Sequence, residues 1–163
     1  MNIQRAKISD IGKISDLLSQ VLAIHHTIRP DIFKPNAVKY LPNELESIIK
    51  DDSKPIFVAE IDGEIKGYAF CIIQKHENDN ILTDVKTLYI DDLCVDENSR
   101  GEHVGKSLYE YVVNYAKTIG CYNVTLNVWE GNDSAKGFYE SLGMKVQKTG
   151  MEIIIKNIGE KND

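Results

Sequence analysis

Hydrophobic positions along the chain change period several times, and each change marks an element. Residues 2 to 6 alternate weakly, as a short strand does; Ser9 then stands as an N-cap before Ile11, Ile14, Leu17, Leu18, Val21 and Leu22 at helical spacing. This predicts a first amphipathic helix ending near Ile24. The stretch His25 to Asp31 is polar and broken by Pro30, so a loop is expected there. A second helix is expected from Pro42, a residue tolerated in a helix's first turn, with Leu45, Ile48 and Ile49 on one face.

Residues 55 to 61 have strand composition, and Asp62-Gly63 is a two-residue hairpin signal ahead of a partner strand from Glu64 to Gln74. A long strand from Val85 to Val95 follows, then a turn and a helix whose apolar face is Val104, Leu108, Tyr111, Val112, Tyr115 and Ile119. Gly120 ends it, and Tyr122 to Trp129 alternate as a strand with Val124, Leu126 and Val128 on one side. Another helix is expected from near Asn132, with Ala135, Phe138, Tyr139 and Leu142 at helical spacing before Gly143. A final hairpin, Met144 to Lys148 and Met151 to Ile155, is expected to close a single domain over residues 1–156, leaving 157–163 as a polar tail. The order β-α-α-β-β-β-α-β-α-β-β describes one α/β (α+β) unit without repeats.

Composition narrows the function. A chain of 163 residues with 42% hydrophobic and 27% charged positions has an ordinary globular balance. Its net charge of -6 argues against binding nucleic-acid backbone, which needs a cationic surface. Cys71, Cys94 and Cys121 lie in apolar runs and read as reduced core residues; the four histidines show no zinc spacing, so no metal is expected. The N-terminal residues Met1-Asn2-Ile3-Gln4-Arg5 lack the pattern of a signal peptide. No apolar stretch approaches the ~20 residues of a membrane span. A cytoplasmic location, with no membrane partner, is the expectation.

The candidate chemistry sits between the long strand and its helix, where residues 99 to 107 read Ser-Arg-Gly-Glu-His-Val-Gly-Lys-Ser. A glycine-containing turn that feeds a helix leaves the first-turn amides unpaired at the positive end of the helix dipole, which is a phosphate-binding arrangement. Arg100 and Lys106 add positive charge at its rim. A nucleotide-binding P-loop is the rival reading, but it needs four residues between its glycines, and Gly101 and Gly105 are separated by three.

Asp92 to Leu108, followed by Asn132-Asp-Ser-Ala-Lys-Gly-Phe-Tyr-Glu-Ser-Leu-Gly-Met144, resembles the GNAT N-acetyltransferase superfamily. The signature Gln/Arg-x-x-Gly-x-Gly/Ala matches Arg100 and Gly105, with His103 where the inner glycine usually sits; the second signature matches from Asn132 onward. The resemblance implies a mixed, mostly antiparallel sheet of about seven strands flanked by about four helices and splayed between strands 4 and 5. It further implies that acetyl-coenzyme A is held by Arg100, Gly101, Glu102, His103, Val104, Gly105 and Lys106 at its pyrophosphate. Main chain at Leu93, Cys94 and Val95 would pair with its pantetheine arm, and Asn132 would also touch it.

The resemblance makes Tyr139 the proton donor to the departing thiolate, a role its phenol suits because a pKa near 10 keeps it protonated at neutral pH. Asp91 and Asp92 are the candidate bases. Adjacent strand residues point to opposite faces, so only one reaches the cleft unless a bulge intervenes. Similarity to the spermidine/spermine acetyltransferase branch favours Asp91 as base, leaving Asp92 to the substrate; ordered water is the alternative. His25, His26 and Tyr68 are possible acceptor-site wall residues. The expected partner is an amine on a small molecule or a protein, and the sequence leaves room for a homodimer. A non-catalytic acyl-coenzyme A sensor on the same fold is the alternative from another class.

Overall fold

The computed structural model describes residues 1–156, so the expected polar tail lies outside the described residues. Strand β1 (Asn2–Arg5) leads through a 3₁₀ turn at Ile8–Asp10 into helix α1 (Ile11–Ile28), and helix α2 (Pro42–Ile49) follows. Strands β2 (Ile56–Ile61), β3 (Glu64–Lys75) and β4 (Lys86–Val95) come next. A second 3₁₀ turn (Glu97–Ser99), helix α3 (Val104–Thr118), strand β5 (Asn123–Leu126) and helix α4 (Asp133–Ser141) complete the elements. The strands form one sheet in the order β1-β2-β3-β4-β5, antiparallel except for the last pair.

The β2–β3 turn is held by Asp62 and Gly63, both at positive φ (52° and 80°), the geometry a two-residue hairpin turn of type I′ requires. Alternation then sorts side chains to the two faces. Ile56, Val58, Tyr68, Phe70 and Cys94 pack with Ile14, Leu17 and Leu45 beneath α1 and α2. Phe57, Ala59, Ala69, Leu88 and Ile90 pack with Val104, Leu108 and Val112 beneath α3. The sheet is therefore the middle of three layers, with burial on both faces.

Three expectations need correction. Ser9 lies inside the first 3₁₀ turn, and Asp10 takes the boundary position, its carboxylate accepting from the Lys7 amide at 2.8 Å. Helix α1 continues to Ile28, so His25 and His26 are helical; it ends where Pro30 forces the preceding residue, Arg29, out of the helical region (φ -133°, ψ 72°). Among the described residues the sheet has five strands, where about seven were expected. Among those residues, 144–156 form no strand or ladder, so the expected final hairpin is not formed there.

Gly67 sits where β4 and α3 leave no room for a side chain. A Cβ there would lie 2.8 Å from the Cys94 carbonyl oxygen and 3.0 Å from both Leu108 and Val104. Backbone cannot yield as a flexible side chain can, so Gly67→Ala is expected to cost about 2 kcal/mol by overpacking. For a chain of this size that lowers the thermal midpoint by roughly 4–8 °C, measurable by calorimetry.

Candidate active site

The ladder between β3 and β4 slips by one residue: Phe70 pairs with Asp92 but Cys71 pairs with Ile90, leaving Asp91 as the extra residue of a β-bulge. A bulge re-aims side chains, and here it places two sequential carboxylates on the wall of one cavity of about 250 Å³. Val21, Leu22 and His25 of α1 form one side of that cavity, and Phe33, Ala37 and Lys39 from the α1–α2 connection form another. The connection is tied down by His26, whose Nδ1 lies 2.7 Å from the Phe33 carbonyl oxygen. His26 thus positions the wall, while His25 lines it.

Aromatic contacts extend this wall. The Phe33 ring lies 5.0 Å from His25 and meets Trp129 edge-on at 5.4 Å, and the Arg29 guanidinium sits 5.7 Å above Trp129. Gly131 packs near Ile28, so the segment after β5 closes against the end of α1.

Charge in the cavity is graded. Tyr68, fully buried, donates its hydroxyl proton to Asp92 Oδ2 at 2.6 Å. Burial pushes the Asp92 carboxyl pKa above the usual carboxylate value, outweighing the Tyr68 hydrogen bond and the attraction of Lys39 and His25. Asp91 instead pairs with Lys39 Nζ at 3.1 Å. Burial opposes the Lys39 ammonium, but the charges of Asp91, Tyr40 and Asp92 and the Asp91 hydrogen bond prevail and raise its pKa. His25 is held below its ordinary pKa by burial, with the charge of Lys39 adding to this and that of Asp92 opposing it.

Beyond the bulge, β4 and β5 part. Their parallel pairing runs from Thr87 with Asn123 to Ile90 with Leu126 and ends there. The side of β4 facing β5 therefore presents unpaired peptide groups from Asp91 to Val95. Leu93 and Val95 direct their side chains into the α3 layer, and Cys94 points to α1, its thiol 3.5 Å from the Leu17 carbonyl oxygen. Only main chain at these three residues faces the cleft between the strands.

The chain leaves β4 through Asp96, a buried carboxylate that accepts from the Asn98 amide at 3.1 Å and from Lys13 Nζ at 2.8 Å. Those contacts hold its pKa below the ordinary value, the Lys13 bond most of all. The turn then passes Gly101 (φ 89°) and His103 (φ 59°) into α3. His103 adopts the left-handed conformation that a glycine would supply, at a cost of about 1–2 kcal/mol. The first helical hydrogen bond is Ser107 N–H to the His103 carbonyl at 3.0 Å, so the amides of Val104, Gly105 and Lys106 lie ahead of the ladder. Arg100, Glu102, His103 and Lys106 are exposed around them.

Unpaired amides at a helix start, basic side chains at the rim and an unpaired strand edge next to them fit a diphosphate carrying an extended amide-containing arm. A Cβ at Gly105 would meet the Phe138 ring at 3.3 Å, so α4 packs directly against this helix start. Asn132 caps α4, its Oδ1 accepting from the Ala135 amide at 3.2 Å. Tyr139 follows Phe138, their rings 5.0 Å apart, and leans toward Tyr109 at 6.3 Å. Burial drives its phenol pKa well above the ordinary value, and the charges of Asp92, Tyr109 and Cys94 add to this.

Sequence reasoning missed Phe33, Lys39, Trp129 and the Lys13–Asp96 pair. Phe33 carried one usable signal, since a lone aromatic in a polar, proline-bounded connection must dock somewhere. Among the described residues no group of three or more potential ligands is placed to hold a metal, and no helix is long and apolar enough to cross a membrane.

Comparison with known proteins agrees with this geometry. A variant of the BH1408 protein from Bacillus halodurans superposes with a TM-score of 0.91 at 31% identity, covering 96% of this chain and all of that one. Glucosamine 6-phosphate N-acetyltransferase from Arabidopsis thaliana is 39% identical over 59 residues, 36% of this chain and 38% of that enzyme. By sequence, then, the chain spans little more than a third of that relative. Its solved structure nevertheless superposes over 95% of this chain and 98% of its own, at 27% identity and a TM-score of 0.69. An aminoglycoside N-acetyltransferase, AAC(6')-Iy, solved in complex with CoA, shares the fold at 17% identity and a TM-score of 0.71, over 96% of this chain and all of its own. The model of the acetyltransferase (GNAT) family matches residues 20–144, and the chain belongs to that family.

Proposed function

We propose that the protein is an N-acetyltransferase that moves the acetyl group of acetyl-coenzyme A directly to a primary amine, with both substrates bound together. The observation that carries this reading is the bulge at Asp91, which puts two carboxylates in a cavity beside the unpaired edge of β4. Acetyl-coenzyme A would supply a thioester-activated acetyl group, its pyrophosphate held by amides from Arg100 to Lys106 and its arm along Leu93 to Val95. Asn132, at the start of α4, would also touch it.

The chain's own residues then have three tasks. The amine must be neutral to attack, and Asp92, with its raised pKa, is the better proton acceptor; Asp91 is already committed to Lys39. Tyr68 fixes the Asp92 carboxylate in place. The backbone amide near Val95 is suited to polarise the acetyl carbonyl. Tyr139 gives its phenolic proton to the departing sulfur; of the two protons a cationic amine loses in becoming an amide, the first goes to Asp92 and the second restores the phenol, so one proton is released per turnover.

The carboxylates of Asp91 and Asp92 suit a cationic amine, and a cavity of about 250 Å³ suits a small molecule or a single side chain. The names of the relatives, which act on an amino sugar phosphate and on aminoglycosides, are consistent with a small-molecule acceptor. A panel of polyamines, amino sugars, amino acids and peptide N-termini, followed by release of coenzyme A thiol, tests the reading. Turnover with at least one amine is expected, without added metal. Tight coenzyme A binding with no turnover on any amine would instead favour the sensor.

A further inference from the structure

The acceptor cavity already contains an ammonium group, and it belongs to the chain itself. Lys39 reaches the cavity from the α1–α2 connection, and its Nζ lies 3.1 Å from Asp91 Oδ2. A second contact holds this cation in place: Nζ sits 5.4 Å from the centre of the Tyr40 ring, and that ring stacks on Phe70 of β3 at 6.0 Å. A cation over an aromatic face is attracted by the ring's electrons. The side chains of Lys39 and Asp91 are 33% and 27% exposed, so salt screens their charges less than those of an open surface pair. Lys39 is charged at neutral pH, since its pKa lies above the ordinary lysine value.

The two carboxylates of the cavity are therefore unequal. Tyr68, a neutral donor, bonds Asp92 Oδ2 at 2.6 Å and leaves the charge of an ionised Asp92 uncompensated. At Asp91 the charge is already met by Lys39. A substrate with one ammonium finds its counter-charge at Asp92, but a second ammonium meets a resident cation where it needs a free carboxylate. Lys39 acts electrostatically on both Asp92 and His25, so its charge is felt across the cavity and not only at Asp91. The rest of the wall, Val21, Leu22, Phe33 and Ala37, is apolar and offers a second cation nothing.

We propose that Lys39 is a specificity-determining residue that occupies the place of a second substrate ammonium, so that the acceptor is a primary monoamine on an apolar body and diamines and polyamines are rejected. The proposal rests on the acetyl-transfer reading, in which this cavity receives the acceptor. Selection of this kind works through the repulsive element built against the wrong ligand as much as through contacts to the right one.

Butylamine and 1,4-diaminobutane test it, because they share one carbon chain and differ by one ammonium. Two quantities are measured: the affinity of each amine by calorimetry on protein saturated with coenzyme A, and kcat/KM for acetyl transfer. The parent is expected to bind butylamine about 5-fold or more tightly than the diamine. Lys39→Met keeps an unbranched side chain, removes the charge and frees Asp91. It is expected to shift the diamine-to-monoamine ratio of affinities, and of kcat/KM, about 10-fold or more toward the diamine. Lys39→Arg, which keeps the cation, should retain the parent's preference; a purely structural role for Lys39 would move neither ratio. A parent that binds the diamine as well as butylamine, or binds neither, overturns the proposal, and so does a folded Lys39→Met variant with the parent's ratio. The parent's own preference decides the matter if Lys39→Met does not fold. A binding preference for butylamine without acetyl transfer to it would count against the transferase reading while supporting the role of Lys39.

Discussion

Tyr139→Phe is expected to lower kcat by about 100-fold or more while leaving coenzyme A affinity within about 2-fold of the parent. The substitution deletes one oxygen. The ring stays packed against Phe138 at 5.0 Å and near Tyr109 at 6.3 Å, so the helix start that Gly105 and Phe138 share is undisturbed. What is lost is the proton held for the leaving sulfur. An interaction needed only in the transition state depresses kcat and kcat/KM equally, which separates this outcome from a general loss of binding.

The same residue makes a pH prediction. Burial, with the nearby charges of Asp92, Tyr109 and Cys94, pushes the phenol pKa upward, so Tyr139 stays protonated to higher pH than a free tyrosine. The parent should therefore show no fall in kcat from this group below about pH 10, the value at which an ordinary phenol is already half ionised. Transfer by Tyr139→Phe at the parent's rate, measured with its best acceptor, would mean that another group or water protonates the sulfur.

Local signals made much of the fold legible. Asp62-Gly63, the Val104 to Ile119 stripe and the Asn132 cap each specify their element through nearest-neighbour chemistry, and all three elements are present. The turn into α3 was legible as a glycine-containing helix start for the same reason, though His103 shows that a left-handed position can be taken by a residue other than glycine. The acceptor side was not legible. Its cavity depends on a one-residue slip between β3 and β4, which no periodicity displays, and on Phe33 and Lys39 arriving from a connection without regular structure. The final hairpin is not realised among the described residues, because strand composition alone does not supply a neighbouring strand to pair with.

Asp92→Asn is expected to reduce kcat by at least 100-fold at neutral pH and at the same time to leave the protein as stable as the parent, or more so. The two effects have one cause. Burial raises the folded-state pKa of Asp92, so the folded protein favours the protonated carboxyl relative to the unfolded chain. Its stabilising contribution is fully present below the unfolded value of about 3.9 and is lost as pH rises through the raised folded value. Above that window the ionised carboxylate is a burden on stability that a neutral amide does not impose, while the Tyr68 hydroxyl can still donate to the amide oxygen at the position where it now meets Oδ2 at 2.6 Å. Catalysis needs the opposite: an ionised carboxylate poised to accept the amine's proton. In the parent, kcat/KM should rise with pH along a limb centred above the ordinary carboxylate range, and Asp92→Asn should abolish that limb. Asp91→Asn should behave differently, shifting acceptor KM several-fold by freeing Lys39 from its 3.1 Å pairing while retaining most of kcat. If Asp92→Asn turned over like the parent and Asp91→Asn lost the limb, the proton acceptor would be Asp91; if both retained it, the amine would lose its proton to water.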